Sequence, residues 1–455
     1  MQKRFKLTTA ILSVICVVFV AEAAAPVASI GNSQFFWWIF MIVAFLLPYG
    51  LIASELGTTY QGDGGLYDWI NKAYPNKKWG ARTAWWYWIN FPLWMASLAV
   101  MCPGLITTIT GIKTGSFGSL IIQLLFIWIV TYIAFFPVSD NVIILNVTAA
   151  IKVILAFAVG VLGIWYVINN GFVNDMSATT FLPSADMKSL SYISVIIFNC
   201  LGFEVVCTFS DDMQNPKKQI PQAIIIGGIV IAAIYLFSGF GIGAAIPTNE
   251  INTDSGLLDA FSLLIGKSGG WFISLAAALF LITLFGNMVS WSMGVNSTAC
   301  YAAQKGDMPK FFQKRSKKNN MPSGVALMNG IVASVICILG FFMEVFFPDS
   351  SLFWTFFALN LVMFLLSYVM VFPAFLKLRK NDPDTNRPFK VPGKGLMLKL
   401  IAYVPMILII VAIIFTALPL KFDAETLSST LPITIGSVIF IALGEILIWL
   451  RAKNN

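Results

Sequence analysis

The sequence predicts an all-α protein that crosses a lipid bilayer many times. Hydrophobic residues make up 58% of the 455 positions, charged residues make up only 11%, and the mean hydropathy is +0.82. Soluble domains carry roughly 25% charged residues, so this composition excludes the class of soluble globular proteins. Apolar stretches of about 20 residues, the length that a helix needs to cross the hydrocarbon core, recur along the whole chain.

Hydropathy predicts twelve spans and two surface helices. The two amphipathic stretches, "GGLYDWINKAYPNKKWG" and "SGLLDAFSLLIGK", are better suited to lie on the membrane surface than to cross it. The spans are predicted at residues 7–31, 35–55, 83–111, 117–136, 141–168, 189–212, 220–246, 270–302, 324–346, 352–378, 397–419 and 431–450.

Lys and Arg residues predict the orientation of these spans. With the N-terminus in the cytoplasm, 24 of the 29 Lys and Arg residues fall in cytoplasmic segments, four fall outside, and Lys152 lies within the fifth span. Cytoplasmic loops carry such an excess of positive charge. We therefore expect a multi-pass protein of the cell (plasma or inner) membrane with both termini cytoplasmic.

The start of the chain admits a second interpretation. Lys3, Arg4 and Lys6 precede an apolar core and the sequence A-E-A, which together resemble a cleaved signal peptide. Cleavage would leave eleven spans. The pattern of the sixth span argues against this alternative.

The first and sixth spans share an interruption. The first contains Glu22 followed by Pro26 and Gly31, and the sixth contains the run Asn199–Gly202 followed by Glu204. A broken helix exposes backbone groups that hydrocarbon cannot satisfy, so these groups line a cavity or bind a solute. Interrupted segments at matching places in two groups of five spans point to the binding site of a secondary transporter.

Several motifs carry a resemblance to a known family. They are "PYGLIASELGT", "GFEVVCTFSDDMQNP", "IPTNEINTDSG", "SWSMGVNSTACYAAQKGDMP" and "NRPFKVPGKG". The chain resembles transporters of the amino acid–polyamine–organocation superfamily, most closely the bacterial glutamate/γ-aminobutyrate antiporter branch. The resemblance implies a LeuT-like fold with a 5+5 inverted repeat, followed by two additional helices. The repeats would occupy residues 1–168 and 189–378, and helices 11 and 12 would occupy residues 397–455.

The resemblance places the substrate at the unwound parts of helices 1 and 6. Glu22 is expected to pair with a substrate ammonium; the alternative is a protonated carboxyl, or one paired with Lys152 or a tyrosine. Many relatives have Gly-Ser-Gly in the first break, where this chain has "AAAPVASIG". Proline has no N–H to offer a carboxylate, so an amine is favoured over a plain amino acid. The further candidates in this segment are Ala23, Pro26, Ser29 and Gly31.

The second break and its surroundings supply the remaining substrate candidates. Asn199, Cys200 and Gly202 would present backbone groups, and Phe198 matches an aromatic residue that caps the substrate in relatives. Trp291 matches an aromatic residue of the eighth span, where an indole would stack on a cation. Core packing is the alternative for both aromatic residues. Further candidates for the cavity are Tyr368 and Asn360.

Two buried ionisable residues are candidates for coupling and gating. In relatives, a lysine at Lys152 replaces a sodium ion and braces helix 1, whereas the alternatives are proton exchange and a simple buried ion pair. Glu204 matches an acidic residue linked to gating, with a local hydrogen bond as its alternative. Asp211 and Asp212 are expected to close an inner gate or to pair with nearby lysines.

Composition also limits the chemistry. The chain has no histidine, and its six cysteines lie in or beside apolar spans without metal spacing, so we expect no metal site and no cofactor. Basic residues lie in short loops, which excludes a nucleic-acid partner. A channel would keep a continuous polar stripe and an enzyme would need a nucleophile with its base; neither pattern is present.

The sequence therefore predicts an alternating-access antiporter and not an enzyme. The favoured exchange is that of an amino acid or amine for its decarboxylation product, such as agmatine for putrescine. The alternatives are a glutamate/γ-aminobutyrate antiporter and a proton-coupled amino-acid permease. The partners are a small amine or amino-acid substrate and the lipid bilayer, and both a monomer and a homodimer remain open.

Overall fold

The computed structural model describes residues 6–20, 23–62, 64–183, 187–252, 256–266, 270–346, 351–419 and 421–454. These residues are almost wholly helical. The helices are α1 (Leu7–Val18), α2 (Ala24–Ala28), α3 (Ser33–Met41), α4 (Leu47–Thr59), α5 (Gly65–Ala73), α6 (Trp79–Thr110), α7 (Ser116–Ile133), α8 (Val138–Asn170), α9 (Met187–Phe198), α10 (Pro216–Ala245), α11 (Gly256–Ile265), α12 (Gly270–Gln304), α13 (Ser323–Phe346), α14 (Leu352–Val369), α15 (Val371–Asn381), α16 (Leu396–Ala417) and α17 (Ala424–Asn454).

Ten segments of the described residues are long and apolar enough to cross a membrane. They coincide with ten of the twelve predicted spans. Two of the ten are assembled from consecutive helices. A π-helical turn, Ile42–Leu46, joins α3 to α4, and a bend at Met370 joins α14 to α15.

The other two predicted spans, the first and the sixth, are interrupted. The first consists of α1 and the short α2, with Phe19 in an extended conformation after α1. The sixth consists of α9, a non-helical stretch over Asn199–Gly202 and a 3₁₀ helix over Phe203–Asp212. Gly202 has a φ of +94°, a left-handed conformation in which glycine escapes the steric penalty of a Cβ.

The two predicted surface helices are present as α5 and α11. In α5, Leu66, Tyr67, Trp69 and Ile70 are buried and Lys72 ion-pairs with Asp68 at 2.9 Å on the outer side. This division of apolar and charged residues is that of a helix that lies flat against the rest of the protein.

Small residues allow α8 and α10 to pack with their backbones close together. An ideal Cβ at Gly241 of α10 would lie only 2.3 Å from the carbonyl oxygen of Val159 in α8. A Cβ at Gly163 of α8 would in turn lie 2.7 Å from the Cα of Gly241. Membrane helices associate through such small-residue contacts because no hydrophobic effect drives them together within lipid. This contact brings side chains of both helices to the first interruption.

Replacing Gly241 with Ala should therefore destabilise the protein. The added methyl group meets backbone, which cannot rotate away, and overpacking of this kind lowers the free energy of unfolding by about 1–3 kcal/mol. The matched control is Gly243→Ala two residues on, where a Cβ would have no other atom within 4 Å. Thermal unfolding in detergent should show a lower Tm for the first variant only. Equal Tm values would contradict the close approach of α8 and α10.

Candidate functional site

A buried lysine stabilises the first interruption. The Lys152 side chain of α8 is fully buried, and its Nζ donates a hydrogen bond of 2.8 Å to the carbonyl oxygen of Phe19. Phe19 directly follows α1, where the carbonyls at the helix end lack intrahelical partners. Ala23 borders the interruption on the other side and is also buried. Ala21 and Glu22 lie outside the described residues.

One tyrosine connects the two interruptions. The hydroxyl of Tyr235 in α10 accepts a hydrogen bond of 2.8 Å from the backbone N–H of Val20. It lies 2.9 Å both from the carbonyl oxygen of Val20 and from Oδ1 of Asn199, two acceptors for its single proton. Its ring stacks on Trp38 with 4.9 Å between centroids. Tyr235 was not among the sequence candidates, although a tyrosine within an apolar span needs a partner for its hydroxyl.

An aromatic wall surrounds the second interruption. The ring of Phe198, the last residue of α9, lies 5.7 Å from that of Trp94, 5.5 Å from Phe357 and 5.3 Å from Phe364. The ring of Trp291 lies 5.2 Å from that of Phe364. The sequence candidates Phe198 and Trp291 are thus joined through Phe364 of α14.

Trp291 also touches the interruption itself. An ideal Cβ at Gly202 would lie 3.2 Å from the Trp291 ring, so the glycine permits this approach. Cys200, another sequence candidate, is 1% exposed and lies between Asn199 and Gly202 in the non-helical stretch. The structure therefore brings the sixth-span candidates and the eighth-span tryptophan together.

Several polar groups around this wall have no hydrogen-bond partner among the described residues. They are Nδ2 of Asn199, Nδ2 of Asn287, Nε1 of Trp291 and both amide atoms of Asn360. These four side chains are at most 3% exposed. The other amide atom of Asn287, Oδ1, accepts a hydrogen bond of 2.9 Å from the indole of Trp94. Buried polar groups are nearly always paired, so such a group of unpaired donors and acceptors points to a polar ligand or water.

Helix periodicity places these groups on shared faces. Asn287 and Trp291 are one turn apart on α12, and Asn360 and Phe364 are one turn apart on α14. Both pairs adjoin the wall beside α9. Asn287 was not among the sequence candidates, because a single asparagine in an apolar helix carries no distinguishing pattern.

Glu204 follows the second interruption and lies in a tyrosine cluster that adjoins the aromatic wall, because the ring of Tyr368 is 4.9 Å from that of Phe364. Its carboxylate is 2% exposed and accepts hydrogen bonds from three hydroxyls. They come from Tyr49 of α4 at 2.5 Å, Tyr87 of α6 at 3.1 Å and Tyr368 of α14. The described residues place no Lys or Arg in an ion pair with this carboxylate. Three helices therefore converge on one acidic group.

The first interruption begins at Phe19, earlier than the unwinding predicted at Glu22. The residues "AAAPVASIG" form α2 and its C-terminal turn, because alanines favour helix and Pro26 falls in the first turn, where an N–H is not needed. The amides of Ser29 and Gly31 donate to the carbonyls of Ala25 at 3.0 Å and Ala28 at 2.9 Å. They are thus occupied within the chain and do not present free N–H groups.

Two predicted acidic residues cannot be placed by their side chains. The backbone of Asp211 and Asp212 ends the 3₁₀ helix, but their side chains lie outside the described part of the structure. Their expected pairing with Lys217 and Lys218 stays a prediction.

Removing only the hydroxyl of Tyr235 tests the connection between the interruptions. Tyr235→Phe keeps the ring contacts but leaves the N–H of Val20 unpaired, a loss of about 1–3 kcal/mol for a buried group. We expect transport to fall about tenfold and the Tm to fall as well, because the lost hydrogen bond also supports the fold. Tyr132→Phe, at a side chain 64% exposed, should transport normally. Normal solute uptake by both variants would show that the hydroxyl is dispensable.

Comparison with known proteins assigns this fold and site to a class of transporters. Residues 5–443 match the amino acid permease family model, so the chain belongs to the amino acid permease family within the amino acid–polyamine–organocation superfamily. It is a multi-pass membrane transporter and not an enzyme.

Its relatives include amine and amino-acid antiporters. The probable agmatine/putrescine antiporter AguD of Lactococcus lactis is 62% identical over 447 residues, which cover 98% of this chain and 95% of the relative. The glutamate/gamma-aminobutyrate antiporter of Lactococcus lactis is 22% identical, with 82% of this chain and 75% of the relative covered. The polyamine transporter RMV1 of Arabidopsis thaliana is 24% identical, with 87% and 76% covered.

Proposed function

We propose that this chain exchanges an amine or amino-acid substrate for the amine product derived from it by alternating access, with agmatine and putrescine as the favoured pair. The observation that carries the proposal is the meeting of two interrupted helices beside an aromatic wall and buried, unpaired amide groups. The name of the relative at 62% identity supports the choice of substrates. Its identity extends over nearly the whole chain.

The proposed architecture is the 5+5 inverted repeat in residues 1–168 and 189–378, with two further helices in residues 397–455. In this architecture the ten apolar spans and the two interrupted ones would make twelve crossings. An even number of crossings and the bias of Lys and Arg support cytoplasmic placement of both termini. In this orientation the ends of α4 and α15, together with α5, lie on the cytoplasmic side.

The proposed substrate site combines one acidic residue with aromatic and amide groups. Glu22 would neutralise an ammonium group, and the indole of Trp291 would face a cation of the substrate. The amides of Asn199, Asn287 and Asn360 would hydrogen-bond the substrate's polar groups and so satisfy their own. Agmatine and putrescine share one primary ammonium group and differ at the other end. A site in which Glu22 binds the shared ammonium group and the amides adapt to the other end suits both substrates.

The proposed coupling elements are Lys152, Tyr235 and Glu204. Lys152 fixes the end of α1 through Phe19, as a bound cation would, and Tyr235 transmits a shift of one interruption to the other. Glu204 holds Tyr49 and Tyr368, so α4 and α14 separate only when its hydrogen bonds break. These roles are consistent with a carrier in which movement of the interrupted helices opens one side at a time.

The proposal is tested with purified protein in liposomes. Radiolabelled putrescine should enter rapidly when the lumen contains agmatine or putrescine, and slowly when the lumen is empty. Lumenal glutamate with external γ-aminobutyrate tests the alternative antiporter, and uptake driven by a proton gradient alone tests a permease. Uptake that is independent of lumenal amine would overturn the exchange mechanism.

A substitution at Glu22 tests its proposed role as the counter-ion. Glu22→Gln should reduce putrescine counterflow about tenfold, the equivalent of about 1.4 kcal/mol of lost charge interaction. Any uptake of neutral amino acids should change less, because they lack a second positive charge. If putrescine exchange by the variant equals that of the unmodified protein, Glu22 does not bind the ammonium.

A further inference from the structure

A second buried carboxylate lies at the end of α4. Glu55 is 1% exposed and accepts hydrogen bonds from Arg379 of α15, at 2.8 Å from Nε and 2.5 Å from Nη2. It also accepts one of 2.7 Å from the backbone N–H of Val391, and the Nε of Arg387 lies 3.2 Å from it. Two guanidinium groups and one amide thus satisfy a single carboxylate.

The segment from Asp382 to Val391 is built around this carboxylate. Arg387 donates to the carbonyl oxygens of Leu378 at 3.3 Å, Asp382 at 2.7 Å and Thr385 at 3.0 Å, which folds the segment back onto α15. Arg379 donates to the carbonyl oxygen of Val391 at 2.8 Å and closes the loop at its other end. We call residues 382–391 the strap.

A tyrosine ties the strap to α4 a second time. The hydroxyl of Tyr60, the residue after α4, donates a hydrogen bond of 2.9 Å to Asp382. Burial and this hydrogen bond raise the pKa of Tyr60 to about 12, while hydrogen bonds from Thr385 and Tyr60 lower the pKa of Asp382. The tyrosine is therefore protonated and the aspartate ionised at neutral pH, which suits this donor and acceptor.

The surface helix α5 extends the same cluster. The Nζ of Lys377 in α15 lies 4.0 Å from the centre of the Tyr74 ring, and the Nζ of Lys72 lies 5.1 Å from that of Tyr60. Both distances are within the range of a cation–π contact. The strap, α4, α5 and α15 are thus joined on one side of the protein, the cytoplasmic side in the proposed orientation.

The strap joins the same two spans that Glu204 joins deeper in the protein. Tyr49 and Glu55 both belong to α4, and six residues along a helix correspond to about 9 Å. Tyr368 and Arg379 both belong to the span formed by α14 and α15. Two layers of polar contacts, one buried deeply and one at the end of the helices, therefore hold this pair of spans together.

We propose that the strap and its bonds to Glu55 form the outer lock of the cytoplasmic side, which must release before α4 and α15 separate. The proposal rests on the alternating access proposed above. A buried ion pair adds little to stability compared with apolar packing. Removing one partner is nevertheless strongly destabilising, because the other charge is left buried and unpaired. Here the partners lie under a polar segment at the surface, so water solvates their charges when the spans separate.

Cys207 is a native reporter of the movement of α4 that this separation requires. It is 4% exposed on the 3₁₀ helix after the second interruption, and α4 covers it so closely that a Cβ at Gly57 would lie 2.2 Å from its Sγ. N-Ethylmaleimide should modify Cys207 only when α4 moves away. Mass spectrometry of the labelled peptide gives the rate for this cysteine separately from the others.

The experiment compares two carboxylates that each bind an arginine. In the proposed mechanism Glu55→Gln weakens the lock, so Cys207 labelling in folded protein should accelerate about tenfold. The control is Glu445→Gln, because Glu445 accepts bonds of 2.5 and 2.9 Å from Arg82 between α6 and α17. It should leave the labelling rate unchanged. Arg387→Gln keeps the bond to Arg379 and should give an intermediate rate even if the Glu55 variant fails to fold.

Unchanged labelling in folded Glu55→Gln protein would overturn the lock, as would an equal acceleration by Glu445→Gln. If the Glu55 variant does not fold, an unchanged rate in Arg387→Gln overturns it. Putrescine exchange by the unmodified protein is measured in the same liposomes. Normal exchange with unchanged labelling refutes only the lock, whereas the absence of exchange refutes the proposed function.

Discussion

Glu204→Gln should reduce exchange by about a hundredfold. In the unmodified protein the tyrosine hydroxyls donate to the Glu204 carboxylate. The glutamine amide has one acceptor oxygen in place of two, and it turns an NH₂ group towards these hydroxyls. Disrupting a buried, hydrogen-bonded charge of this kind is worth about 3 kcal/mol. Since the three tyrosines come from α4, α6 and α14, the closed arrangement of these helices should lose population. Counterflow of putrescine in liposomes measures the effect.

A graded set of variants distinguishes a gating role from a general loss of fold. Tyr87→Phe removes the longest of the three hydrogen bonds to Glu204, at 3.1 Å. It should reduce exchange severalfold at most. Tyr49→Phe removes a shorter hydrogen bond, and its exchange rate should lie between those of Glu204→Gln and Tyr87→Phe. Exchange by Glu204→Gln at the unmodified rate would show that the cluster does not control the movement of these helices.

Lys152→Met should reduce exchange about thirtyfold, the second largest effect that we expect. Methionine keeps an unbranched chain of similar length but leaves the carbonyl oxygen of Phe19 without its donor. An unsatisfied buried acceptor costs about 1–3 kcal/mol, and the positive charge beside the end of α1 is lost as well. The end of α1 should then adopt several conformations, and substrate affinity should fall with the transport rate.

The matched control is Lys113→Met in the exposed connection between α6 and α7. It removes the same charge from the protein without touching an interruption and should transport normally. Lys152→Arg provides a further comparison, because it keeps the charge on a larger, planar group. Full activity of Lys152→Met would mean that the bond to Phe19 does not support transport.

Hydropathy was sufficient to predict most of the fold. Ten spans, both surface helices and the interruption at Asn199–Gly202 agree with the prediction, since membrane crossings require long apolar runs and glycine marks irregular backbone. The first interruption was placed too late in the chain. The run "AAAPVASIG" was predicted to form the break, but Ala24–Ala28 is helical, since a helix tolerates Pro26 in its first turn.

The site was predictable only where a residue type is unusual for its surroundings. Lys152 and Glu204 stand out because charges are rare within spans. Tyr235 and Asn287 do not, and their importance arises from contacts across the fold: Tyr235 bonds to Val20, 215 positions away in the sequence. No periodicity along one helix reveals such pairs, because they depend on how separate helices pack.

The shared hydroxyl of Tyr235 has a mechanical consequence. Because a single side chain is bonded at both discontinuities, neither can rearrange while the other keeps its geometry. The protein should consequently change between its outward-open and inward-open states in one concerted step. Partly open intermediates that allow transport of one solute without exchange for another should be rare. The strict coupling of the two solutes in exchange would then originate in the hydrogen bonds of Tyr235, which does not belong to either gate.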